Sequence, residues 1–339
     1  NRVWDTVFFL GASKMYAIFA LLFGFSCYVQ HHNRESLGED FRLRFAWRML
    51  LLFIWGMVDL IFFNGDILCT YAVMGLLLIP FVKASDKVLL IAAIILFLQP
   101  VELVTIILAL FNPSVTPLDF GLSDLWQALY VPCASGSFTD VAAVNLKFGL
   151  KLNFGWAIEH GRLTQTLFLF IVGMLLGRKE LFNYSEQNIL FWRRVLFVSL
   201  AALAIFFPAW KLLPGCCINP TVSECSDTLL NMWRNFAMMS FYVSSIVLLY
   251  YRTKAVKVIS PLAHFGKMSL SCYLLQSIVG GFIFYNWGIG AYRWSGHTVS
   301  LILAIVFLTL LFLFCRWWTK RHRRGPLEEV WSRATFIFH

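Results

Sequence analysis

Five ionisable side chains interrupt the long apolar runs of this 339-residue sequence, namely Lys14, Asp59, Asp66, Glu102 and Arg234. A charge in an apolar environment is costly, so such residues usually face a cavity or a partner charge. We expect Lys14 and Asp66 to approach each other, because a lone ammonium or carboxylate at that depth must be paired or wetted. These two side chains are therefore the first candidates for catalysis.

Polar groups also concentrate around the FFNGD turn, where Asn64, Asp66 and Tyr71 surround the predicted start of one helix. A helix N-terminus can hold an anion or a developing oxyanion, so this cluster predicts a reactive site. In that interpretation Asp66 and Lys14 are catalytic. The substrate-binding residues predicted here are Asn64, Asp59 and Tyr71. The structural alternative makes Asp66 an N-cap and lets Asp59 reach water at the membrane edge.

His160 is the third catalytic candidate, because a histidine beside Glu159 at a wet boundary can act as a general base. Neighbouring residues on a helix do not face each other, so a solvated interfacial histidine is the alternative. Arg162, Gln276 and Ser277 complete the predicted substrate-binding set, although helix packing also explains the last two. No HExxH, GxSxG, CxxC or Gly-rich phosphate motif occurs in the sequence, and no metal site is predicted.

Nine apolar runs separate these residues, at 8–29, 44–63, 66–82, 88–110, 164–181, 193–213, 229–250, 268–287 and 298–318. An α-helix needs about 20 residues to cross a hydrocarbon layer of about 30 Å, so the pattern predicts nine transmembrane helices. Lys and Arg cluster in alternate connections, and basic residues near helix ends stay in the cytoplasm. The sequence therefore predicts an all-α, multi-pass membrane bundle with residue 1 outside and the C-terminus cytoplasmic.

Composition supports this class. The sequence is 59% hydrophobic and only 14% charged, with a mean hydropathy of +0.72, which a soluble domain of this size could not cover. The net charge of +10 fits positive-inside sorting and anionic lipids, so membrane lipids and not nucleic acid are the predicted partners. The sequence begins with Asn1 and not Met, which leads us to expect one further helix upstream, giving ten.

Three segments stand out within the single predicted transmembrane domain of residues 1–339. They are an outer insertion with interfacial helices at 111–163, a Cys-rich outer loop at 211–228, and a basic cytoplasmic tail at 316–339. Outer cysteines in an oxidising compartment favour disulfides. We expect Cys225 to bond Cys216 or Cys217, with Cys133 taking the remaining thiol. A zinc site is the alternative, which the spacing does not favour.

Several sequence blocks together carry a family resemblance. FALLFGFS (19–26), GDILCTYAVMG (65–75), GMLLGR (173–178), FGKMSLSCYLLQS (265–277) and GPLEEVWSR (325–333) resemble the blocks of the YeiB-like family. These are bacterial inner-membrane proteins with a conserved domain of unknown function. The family is similar, more distantly, to transmembrane acyltransferases such as heparan-glucosaminide N-acetyltransferase. The histidine on which those enzymes depend has no counterpart here, and Asp59 occupies roughly that region.

Two functions follow from this resemblance and from the polar residues. The first is transfer of an acyl group from cytosolic acyl-CoA to a glycan or lipid acceptor in the bacterial envelope, at a polar cavity formed by the first, third and eighth apolar helices. The alternative is a transporter or channel for a small solute. The two halves of the sequence lack inverted symmetry, which argues against transport. The sequence predicts no oligomeric state.

Overall fold

The computed structural model describes residues 2–336, and the regular secondary structure of this range is entirely helical, with no β-strand. The predicted positions of residue 1 and of the C-terminal residue lie outside the described residues. Three 3-10 helices span Ile79–Lys83, Ser260–Leu262 and Ala291–Arg293. The α-helices are α1 (Arg2–Gly11), α2 (Lys14–Glu35), α3 (Phe41–Phe62), α4 (Leu68–Leu78), α5 (Asp86–Phe97), α6 (Pro100–Phe111), α7 (Leu122–Ser135), α8 (Phe138–Glu159), α9 (Arg162–Arg178), α10 (Glu186–Cys216), α11 (Pro220–Arg252), α12 (Val256–Ile259), α13 (Ala263–Gly266), α14 (Ser269–Phe284), α15 (His297–Thr319) and α16 (Pro326–Thr335).

Four helical stretches are long and apolar enough to cross a membrane, namely Arg2–Glu35, Phe41–Phe62, Glu186–Cys216 and His297–Thr319. Two bent pairs, α5 with α6 and α12–α13 with α14, raise the number to six if each pair is one span. The structure therefore supports an all-helical membrane protein, but it does not confirm nine spans. The helices over the other predicted runs are shorter or more polar than a membrane-crossing helix requires by length and composition.

Two breaks in the helices have local causes. Pro100 disfavours a helical conformation at the residue before it, and Gln99 adopts a positive φ of 52° there. The axis bends by 47° between α5 and α6 as a result. Ser13 has a φ of 69° between α1 and α2, so Lys14 becomes the first residue of a new helix. Each break places polar side chains inside an apolar run.

The core lies where α2, α4 and α9 meet. Gly24 on α2 packs directly on the backbone of Phe170, and Gly173 on α9 packs on the backbone of Leu21. Small residues permit this close approach of two helix backbones, as is common in membrane bundles. The fully buried Tyr71 ring of α4 then meets the Phe170 ring edge-on at 5.3 Å.

The basic connections lie together at one end of the bundle, which we call the basic end. The α2–α3 connection contains the ion pair of Arg34 with Glu39, and α16 contacts α3 beside it. Arg178 at the end of α9 pairs with Asp86 at the start of α5, and its charge also reaches the α2 residue His31. The other termini of α2, α9 and α11 form what we call the opposite end.

The 111–163 segment contains two helices, α7 and α8, that pack on the rest of the structure. Helix α8 lies against α3, where Gly149 leaves room for the Leu60 side chain. Helix α7 is fixed at its C-terminus because Asn286 donates from its backbone N–H to the Cys133 carbonyl at 2.9 Å, and from Nδ2 to that of Gly136 at 3.1 Å. This segment therefore belongs to the folded bundle.

The disulfide prediction is not supported, because all eight cysteines are free. The predicted 211–228 loop is largely helical, since α10 continues to Cys216 and α11 begins at Pro220. Cys225 consequently lies on α11 and is buried, whereas Cys216 is exposed at the end of α10. Cys133 is buried on α7, beside Tyr285.

Candidate functional site

Asp66 holds the N-terminus of α4. Its Oδ1 accepts from the backbone N–H of Leu68 at 3.0 Å, and its Oδ2 accepts from that of Cys69 at 2.8 Å. The hydroxyl of Tyr273 on α14 lies 3.3 Å from the same Oδ1. Asp66 is only 2% exposed, so these bonds compensate a carboxylate that water does not reach. Its geometry matches the capping role considered for it.

Asp59 is a residue of α3 that lies beside Asp66 but has a different environment. It is fully buried, and neither of its oxygens has a hydrogen bond of good geometry within residues 2–336. The hydroxyl of Ser277 on α14 lies close to it. Asp59 therefore does not reach water, contrary to the structural alternative. We call Asp59 and Asp66 the carboxylate pair.

A cavity of about 800 Å³ lies next to the carboxylate pair, between α2, α3, α4, α14 and α16. Most of its wall is formed by Leu, Phe and Met side chains. Its polar groups lie in two places, with Gln30 and Arg48 toward the basic end and Tyr71, Tyr273 and Gln276 deeper in the bundle. The helices predicted to form a polar cavity, α2, α4 and α14, all line this cavity, but its wall is chiefly apolar.

Helix α14 connects the cavity to the carboxylate pair. Tyr273 lines the cavity while its hydroxyl accepts from the Ile67 N–H at 3.0 Å and reaches Asp66. Gln276 also lines the cavity, and the next residue, Ser277, lies beside Asp59. A phenol between a cavity and two carboxylates can relay a proton between them. Asn64 is buried nearby but does not line this cavity.

A second polar region contains three buried cations, Lys14, Arg162 and Arg234, which we call the cation group. Their exposed fractions are 2%, 8% and 6%. Arg162 donates from Nη2 to Ser13 Oγ at 2.8 Å and from Nη1 to Gln165 Oε1 at 2.9 Å. Lys14 lies close enough to both arginines for the three charges to repel one another. The sequence-predicted residues Lys14 and Arg162 are thus brought together.

The expected pairing of Lys14 with Asp66 is wrong. No ion pair of Lys14 occurs among the described residues, and the charges that act on it are cationic. Helix α4 does contact α2 nearby, since the Tyr71 hydroxyl donates to the Tyr16 carbonyl at 2.9 Å. Because α2 restarts at Lys14, this side chain faces α9 and α11 instead of α4. Lys14 and Tyr16 lie only two residues apart on α2, yet Lys14 faces the cation group and Tyr16 contacts the helix that Asp66 caps.

His160 belongs to neither region. It is the exposed C-cap residue of α8, with Nδ1 3.1 Å from the Trp156 carbonyl and its ring stacked on that indole. Glu159 instead accepts from the Phe120 N–H at 2.7 Å. The two side chains form no acid–base pair, which agrees with the alternative of an interfacial histidine.

The sequence-based set omitted residues that the structure brings into these regions. Tyr273 lies inside one of the quoted sequence blocks, yet a tyrosine in an apolar helix gives no signal of its own. Arg234 interrupts an apolar run but has no partner in the sequence to suggest a site. Glu328 accepts from the Ser271 N–H at 2.9 Å, which joins the GPLEE block on α16 to the first turn of α14. Only tertiary packing reveals that contact.

Comparisons with known proteins agree with this helical architecture. Residues 176–338 match a family described as "Protein of unknown function (DUF418)". The "Uncharacterized protein YxaH" of Bacillus subtilis is 27% identical and matches 98% of this chain and 82% of its own length. The "Uncharacterized protein YeiB" of Escherichia coli is 24% identical, over 98% of this chain and 84% of its own. No solved structure matches the chain significantly. The resemblance of the sequence blocks to the YeiB-like family is thus confirmed, since the chain is similar to these proteins of unknown function over nearly its whole length.

Proposed function

We propose that the protein is a multi-pass protein of the bacterial inner membrane, with its basic end in the cytoplasm and its opposite end outside. The clustering of Lys and Arg at one end supports this orientation, because basic residues near helix ends are retained in the cytoplasm. In this arrangement α11 and the shorter helices α4 and α9 complete a nine-span bundle with the six candidate spans. The end of the cavity that Arg48 lines then lies nearer to the cytoplasmic side.

Within that bundle we propose transfer of an acyl group from acyl-CoA to an envelope glycan or lipid. The observation that supports this best is the cavity, because its volume of about 800 Å³ lies within the range of about 300–1,000 Å³ typical of ligand pockets. Its apolar wall suits an acyl chain. Arg48 at the basic end suits the phosphates of CoA, which guanidinium groups bind well.

The chemistry would take place at the deeper end of the cavity. The acceptor hydroxyl oxygen bonds to the thioester carbonyl carbon while the carbon–sulfur bond breaks. The carboxylate pair accepts the hydroxyl proton through Tyr273, and the proton returns to the departing CoA sulfur. Gln276 donates to the carbonyl oxygen as negative charge develops there. Asp59 is suited to the proton transfer because its oxygens have no other hydrogen bond of good geometry.

A binding measurement with purified protein in detergent tests the cavity. Leu270→Trp fills its wall, so we expect palmitoyl-CoA to bind at least tenfold more weakly, because an indole occupies the space of the acyl chain. Leu310→Trp is the matched control, since Leu310 is 60% exposed on α15 and does not line the cavity. Equal affinities for both variants and the wild type would exclude acyl-chain binding in this cavity.

Release of free CoA thiol from membranes supplied with acyl-CoA tests the chemistry. Asp59→Asn should abolish this release while leaving palmitoyl-CoA affinity within twofold, because the substitution removes the base and keeps the volume. Asp227→Asn is the control, since Asp227 lies on α11 near the cation group. If Asp59→Asn releases thiol at the wild-type rate, the carboxylate pair has no part in acyl transfer.

A further inference from the structure

The cation group lacks a counter-charge. Neither Lys14 nor Arg162 nor Arg234 forms an ion pair with any residue in the range 2–336. The one acid that acts on Arg234 is Asp227, seven residues earlier on the same helix and partly exposed. Three buried like charges with no acid in ion-pair contact strongly favour binding of an anion between them.

Hydrogen-bond donors in the same region are also unused. The Nε atoms of Arg162 and Arg234 and the Nε2 atom of Gln165 are buried and have no acceptor among the described residues. The remaining contacts of the cations keep their side chains in place, since Arg234 lies over the Trp210 ring at 3.8 Å and Arg162 bonds Ser13. The site is therefore positively charged and rich in donors.

The three cations lie at a similar level along different helices. Between 16 and 21 residues separate them from the basic-end termini of α2, α9 and α11. At about 1.5 Å per residue this is roughly 24–32 Å, close to the thickness of a hydrocarbon layer of about 30 Å. With the basic-end termini at the cytoplasmic edge of that layer, as proposed above, the site lies near its other edge, next to the lipid phosphates of the far leaflet.

We propose that Lys14, Arg162 and Arg234 form a binding site for a phosphoryl group at the opposite end of the bundle. Guanidinium forks and a nearby ammonium match the charge and the acceptor oxygens of a phosphate. This site is separate from the apolar cavity, and its occupation does not depend on acyl transfer. Its two possible sources are the headgroup of an anionic phospholipid and free phosphate.

Native mass spectrometry of the purified full chain distinguishes these sources. We expect dioleoyl phosphatidylglycerol to be retained on the wild type, and dioleoylglycerol, which has the same chains without phosphate, to be lost. Lys14→Met should weaken phosphatidylglycerol binding at least tenfold, whereas Lys211→Gln, an exposed cation near the end of α10, should leave it within twofold. Displacement of the lipid by millimolar inorganic phosphate would identify free phosphate as the source.

Thermal unfolding separates binding from a structural role of the lysine. In delipidated protein, Lys14→Met should unfold at the same temperature as the wild type or higher, because it removes one of three repelling charges. Added phosphatidylglycerol or phosphate should then stabilise the wild type more than the variant. If Lys14→Met lowers the unfolding temperature equally with and without these anions, or if dioleoylglycerol binds as well as phosphatidylglycerol, the phosphoryl site is excluded.

Discussion

The carboxylate pair and the cation group lie in the same bundle, yet their charges are compensated differently. Asp66 has three hydrogen-bond partners, namely two backbone N–H groups and a phenol. Lys14 has no hydrogen bond or ion pair within the described chain, and only cations and a Phe9 ring act on it. The carboxylates and the cations would stabilise each other in one site, but the fold places them in two separate sites.

We infer from this separation that the cation group is retained for binding, whereas Asp66 also stabilises the start of α4. A salt bridge between Lys14 and Asp66 would reduce the desolvation cost of both groups, and the contact of Tyr71 with Tyr16 brings their helices within reach. The break at Ser13 directs Lys14 elsewhere. We infer that one region serves an uncharged or acyl ligand through the cavity, and the other serves an anion.

The largest effect is expected where one substitution disturbs both regions. Gly173→Ala would place a methyl group against the backbone of Leu21 and so force α9 away from α2. We expect a loss of about 3 kcal/mol, at the upper end for overpacking, because backbone cannot move aside as a side chain can. Gly280→Ala, with no atom near its Cβ, is the control in thermal unfolding. Equal unfolding temperatures for both variants would show that α2 and α9 are not in close contact.

Within the carboxylate region, Asp66→Ala should cost about 2 kcal/mol of stability, because α4 loses its two side-chain acceptors and buried N–H groups remain unpaired. Asp66→Asn keeps an acceptor and should cost less than about 1 kcal/mol. Chemical denaturation in detergent measures both. A stability loss of the same size for the two variants would mean that the charge, and not the cap, is the stabilising feature.

Within the cation region we expect a substitution to raise the free energy of unfolding instead of lowering it. Gln165→Glu supplies a carboxylate at the atom that already accepts from Arg162, so we expect a gain of about 1.5 kcal/mol together with loss of phosphatidylglycerol binding. Gln127→Glu on the exposed surface of α7 is the control. A destabilised Gln165→Glu variant would indicate that the cation group is not short of negative charge.

The smallest expected effect tests whether the carboxylate pair and the cation group act independently. Glu328→Gln weakens the bonds to Ser271 that hold the first turn of α14, at an expected cost of about 1 kcal/mol. Because α14 presents Tyr273 to the cavity, palmitoyl-CoA binding should fall severalfold while phosphatidylglycerol binding stays unchanged. A parallel loss of both affinities would show that the two regions depend on each other.

Sequence alone determined the helical class and the family, because long apolar runs and the quoted blocks are local features of the chain. It also selected Asp59, Asp66, Lys14 and Arg162 as unusual, since the cost of a buried charge depends on residue type and on the apolar residues around it. It could not establish how many runs form complete spans, because bends such as the one at Gln99 depend on the packing of neighbouring helices.

Tertiary structure alone decided which charges meet. The direction of Lys14 follows from a single backbone break, and the proximity of Arg234 follows from packing of α11 on α2, more than 200 residues away in sequence. Most of the 211–228 segment, in which a disulfide was expected, is likewise helical and not a loop, because α10 ends at Cys216 and α11 begins at Pro220. Periodicity and composition describe each helix by itself, whereas the faces that two helices turn toward each other are set by side-chain packing across the whole bundle.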